Sequence, residues 1–227
     1  MATDPKARPN HRIYLEILRS MTPEQKLLKV FELPEAARKM SQPELLTRLL
    51  QILRDLGIES MITGSYASSL QGEPRLTHDI DLVVSLSPES AAQLIDRFPP
   101  DNFYISKQSV DEALRLKTMF NVVEYASGDK IDFHLLTDDP FDLSRFRRRR
   151  KADILGTEIE VSTPEDTILM KLRWAELSGG SEKQFRDALR VYEVQHGRLD
   201  MTYIDDWAAR LNLVDAWRRL QSEADPD

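Results

Sequence analysis

Apolar residues recur at helical spacing between Gln42 and Gly57: Leu45, Leu46, Leu49, Leu50, Ile52 and Leu53. That period predicts an amphipathic helix. Ser41-Gln42-Pro43-Glu44 supplies its start and Gly57 its end. Two helices are predicted before it, over 11–20 and 24–40, the second opened by Thr22-Pro23-Glu24-Gln25. After Gly57 the pattern shortens to strand length. Ile58 to Thr63 and Ile80 to Ser85 read as compact apolar strands. Between them lie a small-residue turn at Gly64-Ser65, a short helix over Tyr66 to Gln71 and a break at Gly72-Glu73-Pro74. Helices follow over Pro88 to Phe98, closed by Pro99-Pro100, and over Val110 to Thr118.

Two hairpins come next. Phe120 to Tyr125 and Lys130 to Leu136 flank Ser127-Gly128-Asp129, and Lys151 to Leu155 and Glu158 to Val161 flank Gly156-Thr157. From Pro164 onward the period is helical, over about 164–177, 181–195, 202–210 and 213–222, with no further strand. The expected organisation is a helical N-terminal extension (1–40), a mixed α/β core (41–163) and a C-terminal helical region (164–227). The fold class is therefore α+β: a mixed sheet with flanking helices.

Composition narrows the function classes. The 227 residues carry 38 acids and 31 bases, a formal charge of −7, and 41% are hydrophobic. These proportions predict an ordinary soluble globular protein. The chain has no cysteine, which excludes disulfides, thiolate metal sites and a cysteine nucleophile. No apolar run approaches the roughly 20 residues of a membrane span, and MATDPKARPN lacks a signal-peptide core. The expected location is cytoplasmic, without a membrane partner. The charge is uneven: residues 152–227 hold 9 bases and 16 acids, whereas Arg145 and Arg147 to Lys151 form a basic run.

The chemistry lies in the middle region. Ile62-Thr63-Gly64-Ser65 is followed, after thirteen residues, by Asp79-Ile80-Asp81-Leu82-Val83-Val84. In a strand, residues i and i+2 share a face, so Asp79 and Asp81 project together while Ile80 and Leu82 enter the core. Two adjacent carboxylates repel each other unless they share a cation, and Mg²⁺ takes oxygen ligands of this kind. Asp132, in Lys130-Ile131-Asp132-Phe133-His134, is a third acid inside an apolar strand. If the two strands are neighbours, three carboxylates converge. Gly64 lets the backbone approach a phosphate closely, and the amides opening the next helix favour an anion. Taken singly, a D-x-D pair or a Gly-Ser turn has an ordinary structural explanation. Their order along one chain is what points to a site.

That order, GSYASSLQGEPRLTHDIDLVV followed by IDFH, resembles the nucleotidyltransferase superfamily related to DNA polymerase β. The family signature falls on Gly64, Ser65, Asp79, Asp81 and Asp132. The resemblance implies a mixed-sheet core and an enzyme of EC 2.7.7 type that uses Mg²⁺ and an NTP. More narrowly, Arg75-Leu76-Thr77, Pro164-Glu165-Asp166-Thr167-Ile168-Leu169-Met170-Lys171-Leu172 and Arg186-Asp187 resemble AbiEii-type bacterial nucleotidyltransferases. Several of those are toxins of toxin–antitoxin systems. This likeness implies that Arg75, Thr77, Lys171 and Asp187 lie near the nucleotide. Met21 to Lys39 resembles a short helical protein that can accompany such enzymes, which implies a small helical or antitoxin partner. An amphipathic helix packed on the core explains the segment equally well.

The implied mechanism puts Asp79, Asp81 and Asp132 on Mg²⁺, with Asp132 also helping to deprotonate the acceptor hydroxyl. Ser65 and the amides after Gly64 would grip the phosphates, and Lys171 or Arg75 would offset their charge. The acceptor, whether tRNA or another RNA, a protein or a small molecule, stays open. So does a second class: a nucleotide- or RNA-binding module acting through a partner. The Arg145–Lys151 run is either an RNA-phosphate contact or a solvated strand edge. His134, on the face of Asp132, lines the pocket or simply hydrogen-bonds, and His78 precedes Asp79. Trp174, Trp207 and Trp217 are expected in the helical core.

Overall fold

The computed structural model describes residues 10–31, 42–77, 79–154 and 157–226. Seven strands among them form one mixed sheet in the order β3-β4-β5-β2-β1-β7-β6. In chain order these are β1 (Ser60–Ile62), β2 (Asp79–Val84), β3 (Phe103–Ile105), β4 (Met119–Glu124), β5 (Lys130–Leu135), β6 (Arg150–Ile154) and β7 (Thr157–Val161). The central pair, β2 and β5, runs parallel, so Asp79 faces Lys130, Asp81 faces Asp132 and Val83 faces His134. β1 pairs antiparallel with β2 and parallel with β7. The fold is the expected mixed α/β class.

Alternation along β2 and β5 divides the sheet into two faces. Ile80, Leu82 and Val84 with Ile131, Phe133 and Leu135 turn into the main core. That core also takes in α3 (Gln42–Asp55), α5 (Pro88–Asp96) and α6 (Lys107–Leu116). Phe120 stacks on Phe133 at 4.9 Å between ring centres. The opposite face carries Asp79, Asp81, Lys130, Asp132 and His134. Its lower end is closed by Phe146 of α7 (Pro140–Arg148) against Met61 and Val83.

A second apolar cluster joins Phe141 of α7 to four C-terminal helices. These are α8 (Pro164–Leu177), α9 (Glu182–Gln195), α10 (Met201–Arg210) and α11 (Val214–Glu223). Thr163 caps α8 by accepting from the Asp166 amide, and Pro164 holds the first turn. At the other end of the chain, α1 (His11–Ser20) buries Leu15 and Leu18 against Val194 of α9. α2 (Pro23–Phe31) sends Leu27 into the main core. The rest of the expected 24–40 helix, Ser41, the turn at 155–156 and His78 lie outside the described residues.

Two elements differ from the expectation. β3 pairs only through Phe103, Tyr104 and Ile105, too short for alternation to announce it. Arg145 to Arg148 belong to a helix, α7, not to the approach of a strand. Asp139 caps that helix from the Phe141 and Asp142 amides, with Pro140 in the first turn.

Candidate active site

The site starts at Gly64, where β1 ends and α4 (Gly64–Gln71) begins. Gly64 has φ +61°, and a Cβ there would lie 2.0 Å from Asp81 Oδ2 and 2.5 Å from its Cγ. Both the left-handed backbone and the close approach demand glycine. The Thr63 amide donates to the Asp81 carbonyl at 3.0 Å, and the Ser65 amide reaches Asp81 Oδ2 at 3.5 Å. The Gly-Ser turn is thus seated directly on the second aspartate of the D-x-D pair.

Asp81 and Asp132 sit opposite each other on paired strands. Burial pushes the Asp81 carboxyl up, but His134 at 3.7 Å and the Ser65 amide outweigh it and hold the group below the usual range. Asp132 is raised: burial dominates, and the charges of Asp81 and Asp79 add to it against the opposing pull of Lys130. Lys130 Nζ lies 2.8 Å from Asp132 Oδ2 and 3.8 Å from Asp79 Oδ1. Asp132 Oδ1 is buried without a hydrogen-bond partner.

These donors can be tested against Mg²⁺. Asp79 and Asp81 offer hard oxygens on one strand face, the chemistry such an ion requires. Among the described residues, however, no group of three or more His, Cys, Asp or Glu side chains is arranged to hold a metal. The residues fit one ion on the Asp79–Asp81 pair better than a three-carboxylate cage, because an ammonium already takes Asp132.

A second network braces the Gly64-Ser65 turn. Asp187 of α9 accepts from Arg75 Nε at 2.9 Å, Arg75 Nη2 at 2.8 Å and Lys171 Nζ at 2.8 Å. Arg75 Nη2 also donates to Ser65 Oγ at 2.6 Å. One carboxylate therefore ties the loop before β2, the Gly-Ser turn and α8 together. Burial raises the Asp187 carboxyl, yet the two cations hold it below the usual range. Lys171 is lowered, chiefly by burial. Thr77 is buried and donates from Oγ1 to the Asp79 carbonyl at 3.3 Å, bracing the start of β2.

Gly64, Ser65, Asp81, His134 and Lys171 line one cavity of about 460 Å³. Lys117, Arg145, Arg173 and Trp174 also line it and were not singled out for this site by the sequence. Trp174, expected in the core, is 46% exposed on the cavity wall beside Met170 and Leu177. Its position three residues beyond Lys171 on α8 was the available signal. Trp217 is buried as expected. The basic run is largely committed to ion pairs. Arg145 holds Asp142, Arg148 holds Glu165 and Asp166, Arg149 holds Glu59 and Glu160, and Lys151 holds Glu158.

No family model and no curated protein matches the chain. Solved structures do. The antibiotic-resistance factor ANT(2'')-Ia in solution is 13% identical, over 79% of this chain and 97% of that one, with a TM-score of 0.54. The same protein in complex with adenylyl-2''-tobramycin is 14% identical, over 76% and 98%, with a TM-score of 0.55. An antigenic nucleotidyltransferase-like protein from Paracoccidioides brasiliensis is 19% identical, over 78% and 90%, with a TM-score of 0.46. At such identities the likeness to ANT(2'')-Ia establishes a shared fold.

Proposed function

We propose that the protein is a nucleotidyltransferase that moves an NMP from an NTP to an acceptor hydroxyl and releases pyrophosphate. The observation that carries this reading is one cavity where the Gly64-Ser65 turn, Asp81 and Lys171 meet, with Asp132 directly across from Asp81. Folding alone has no need to press a glycine onto a carboxylate.

Asp79 and Asp81 would hold Mg²⁺, which when bound neutralises triphosphate charge and polarises the α-phosphorus. Ser65 and the first amides of α4 receive the β- and γ-phosphates, and Arg75 orients the Ser65 hydroxyl. Lys171 offsets charge that builds on the leaving pyrophosphate. Asp132 accepts the proton of the acceptor hydroxyl. The hydroxyl oxygen bonds to the α-phosphorus as the bond from that phosphorus to the pyrophosphate oxygen breaks.

Two finer points belong to the same proposal. Lys117 and Arg173 line the cavity as cations beyond Lys171 and the Arg145–Asp142 pair. Their charge favours an anionic acceptor, tRNA or another RNA, over a polycation such as the tobramycin adduct seen with ANT(2'')-Ia. Kinship with AbiEii-type enzymes, and with it a toxin role, rests on the Arg75-Leu76-Thr77, Pro164–Leu172 and Arg186-Asp187 segments, and a small helical or antitoxin partner rests on the likeness of Met21–Lys39. The test is a screen with labelled NTPs and Mg²⁺ over total tRNA, protein extract and aminoglycosides. Label should enter RNA, and Asp81→Ala should abolish it. Equal transfer by that variant would refute the assignment.

A further inference from the structure

The third carboxylate of the site is paired with an ammonium. Lys130 precedes Asp132 by two residues on β5, so both side chains rise from one face of the sheet. Across the parallel pairing, Lys130 stands opposite Asp79. Its ammonium lies 2.8 Å from Asp132 Oδ2 and 3.8 Å from Asp79 Oδ1, with Val123 of β4 on its other flank. The charge lies between the two acids that a second divalent cation would have to bridge. The other oxygen of Asp132 is different: Oδ1 is buried and accepts no hydrogen bond, and an unsatisfied buried acceptor calls for a donor.

We propose that Lys130 stands in for a second metal ion. Its ammonium occupies the space between Asp132 and Asp79 and limits the site to one divalent cation on the Asp79–Asp81 side. This rests on the Mg²⁺ reading proposed above. A fixed ammonium can do part of what a second ion does: it supplies positive charge beside the reacting phosphate and orients the carboxylate. It cannot bind the attacking oxygen as a Lewis acid, so deprotonation falls to Asp132.

The test counts ions. Mn²⁺ bound to the full chain is measured by electron paramagnetic resonance, with and without α,β-methylene ATP, subtracting the ion carried by free nucleotide. The wild type should bind one Mn²⁺ and Lys130→Met two. Asp132→Asn in the Lys130→Met background should return the count to one, locating the new site. Lys130→Gln serves if the methionine variant does not fold, and the wild-type count stands without either. Two ions in the wild type would overturn the inference and leave the nucleotidyltransferase reading intact, as would one ion in wild type and variants alike. No bound Mn²⁺ in any of them would remove both.

Discussion

Gly64→Ala separates backbone strain from damage to the site, because Gly57 provides a matched control. Both glycines are left-handed, at φ +61° and +62°. An alanine at either place carries the cost of that conformation, about 1–2 kcal/mol. At Gly57 the new methyl meets nothing within 4 Å, whereas at Gly64 it lands 2.0 Å from Asp81 Oδ2. Contacts between carbon and oxygen need well over 3 Å, so Asp81 must move by about an ångström or β1 must separate from β2. A displacement of about 1 Å in a catalytic group costs on the order of 10²-fold in rate. Urea melts and transfer of labelled nucleotide should therefore diverge. Gly57→Ala loses about 1–2 kcal/mol and keeps its transfer rate per folded molecule. Gly64→Ala loses at least as much stability and about 10²-fold in kcat/KM. Equal transfer by the two variants, corrected for folded fraction, would refute the claim that the Gly64 contact serves Asp81.

Other outcomes follow from the same geometry. Asp187→Ala strands the buried Lys171 ammonium and should lower stability by about 3–5 kcal/mol in urea melts; Asp187→Asn should lose less but raise the KM for NTP. Trp174→Ala should leave the melt nearly unchanged and weaken nucleotide binding by about 10- to 100-fold in calorimetry, the range of a base–aromatic stack. Lys26 is buried, and burial, helped by Arg198, lowers its pKa from 10.5 to about 8. Its ionised form therefore costs the folded state about 3 kcal/mol below pH 8, and that cost fades as pH rises through 10.5. Lys26→Met should accordingly raise Tm at pH 7 and lose its advantage by pH 10.5; a difference independent of pH would contradict the assignment.

Much of the fold was legible because its signals are local. α8 has the expected span of 164–177, since Thr163-Pro164 states its start and an unbroken helical period follows. The β4–β5 hairpin forms around Ser127-Gly128-Asp129. The pairing of Asp81 with Asp132 needed one non-local fact, that β2 and β5 are neighbours, and the structure supplies it. What stayed hidden depends on distance in the chain or on competing signals. The likeness put Asp187 and Arg75 near one nucleotide, but their direct pairing across 112 residues needed the packing of α9 against the core. In α7, three arginines of the basic run obscured a helix that starts at Asp139-Pro140.

The proposed reaction transfers the α-phosphoryl group with its nucleoside. The most direct measurement incubates the protein, Mg²⁺ and total RNA with each NTP labelled in turn at the α- and the γ-phosphate. Label from the α-position should enter the acceptor while label from the γ-position leaves as pyrophosphate, and Asp81→Ala should do neither. Release of γ-label as orthophosphate with no α-label in any acceptor would mean hydrolysis instead, and would contradict the account.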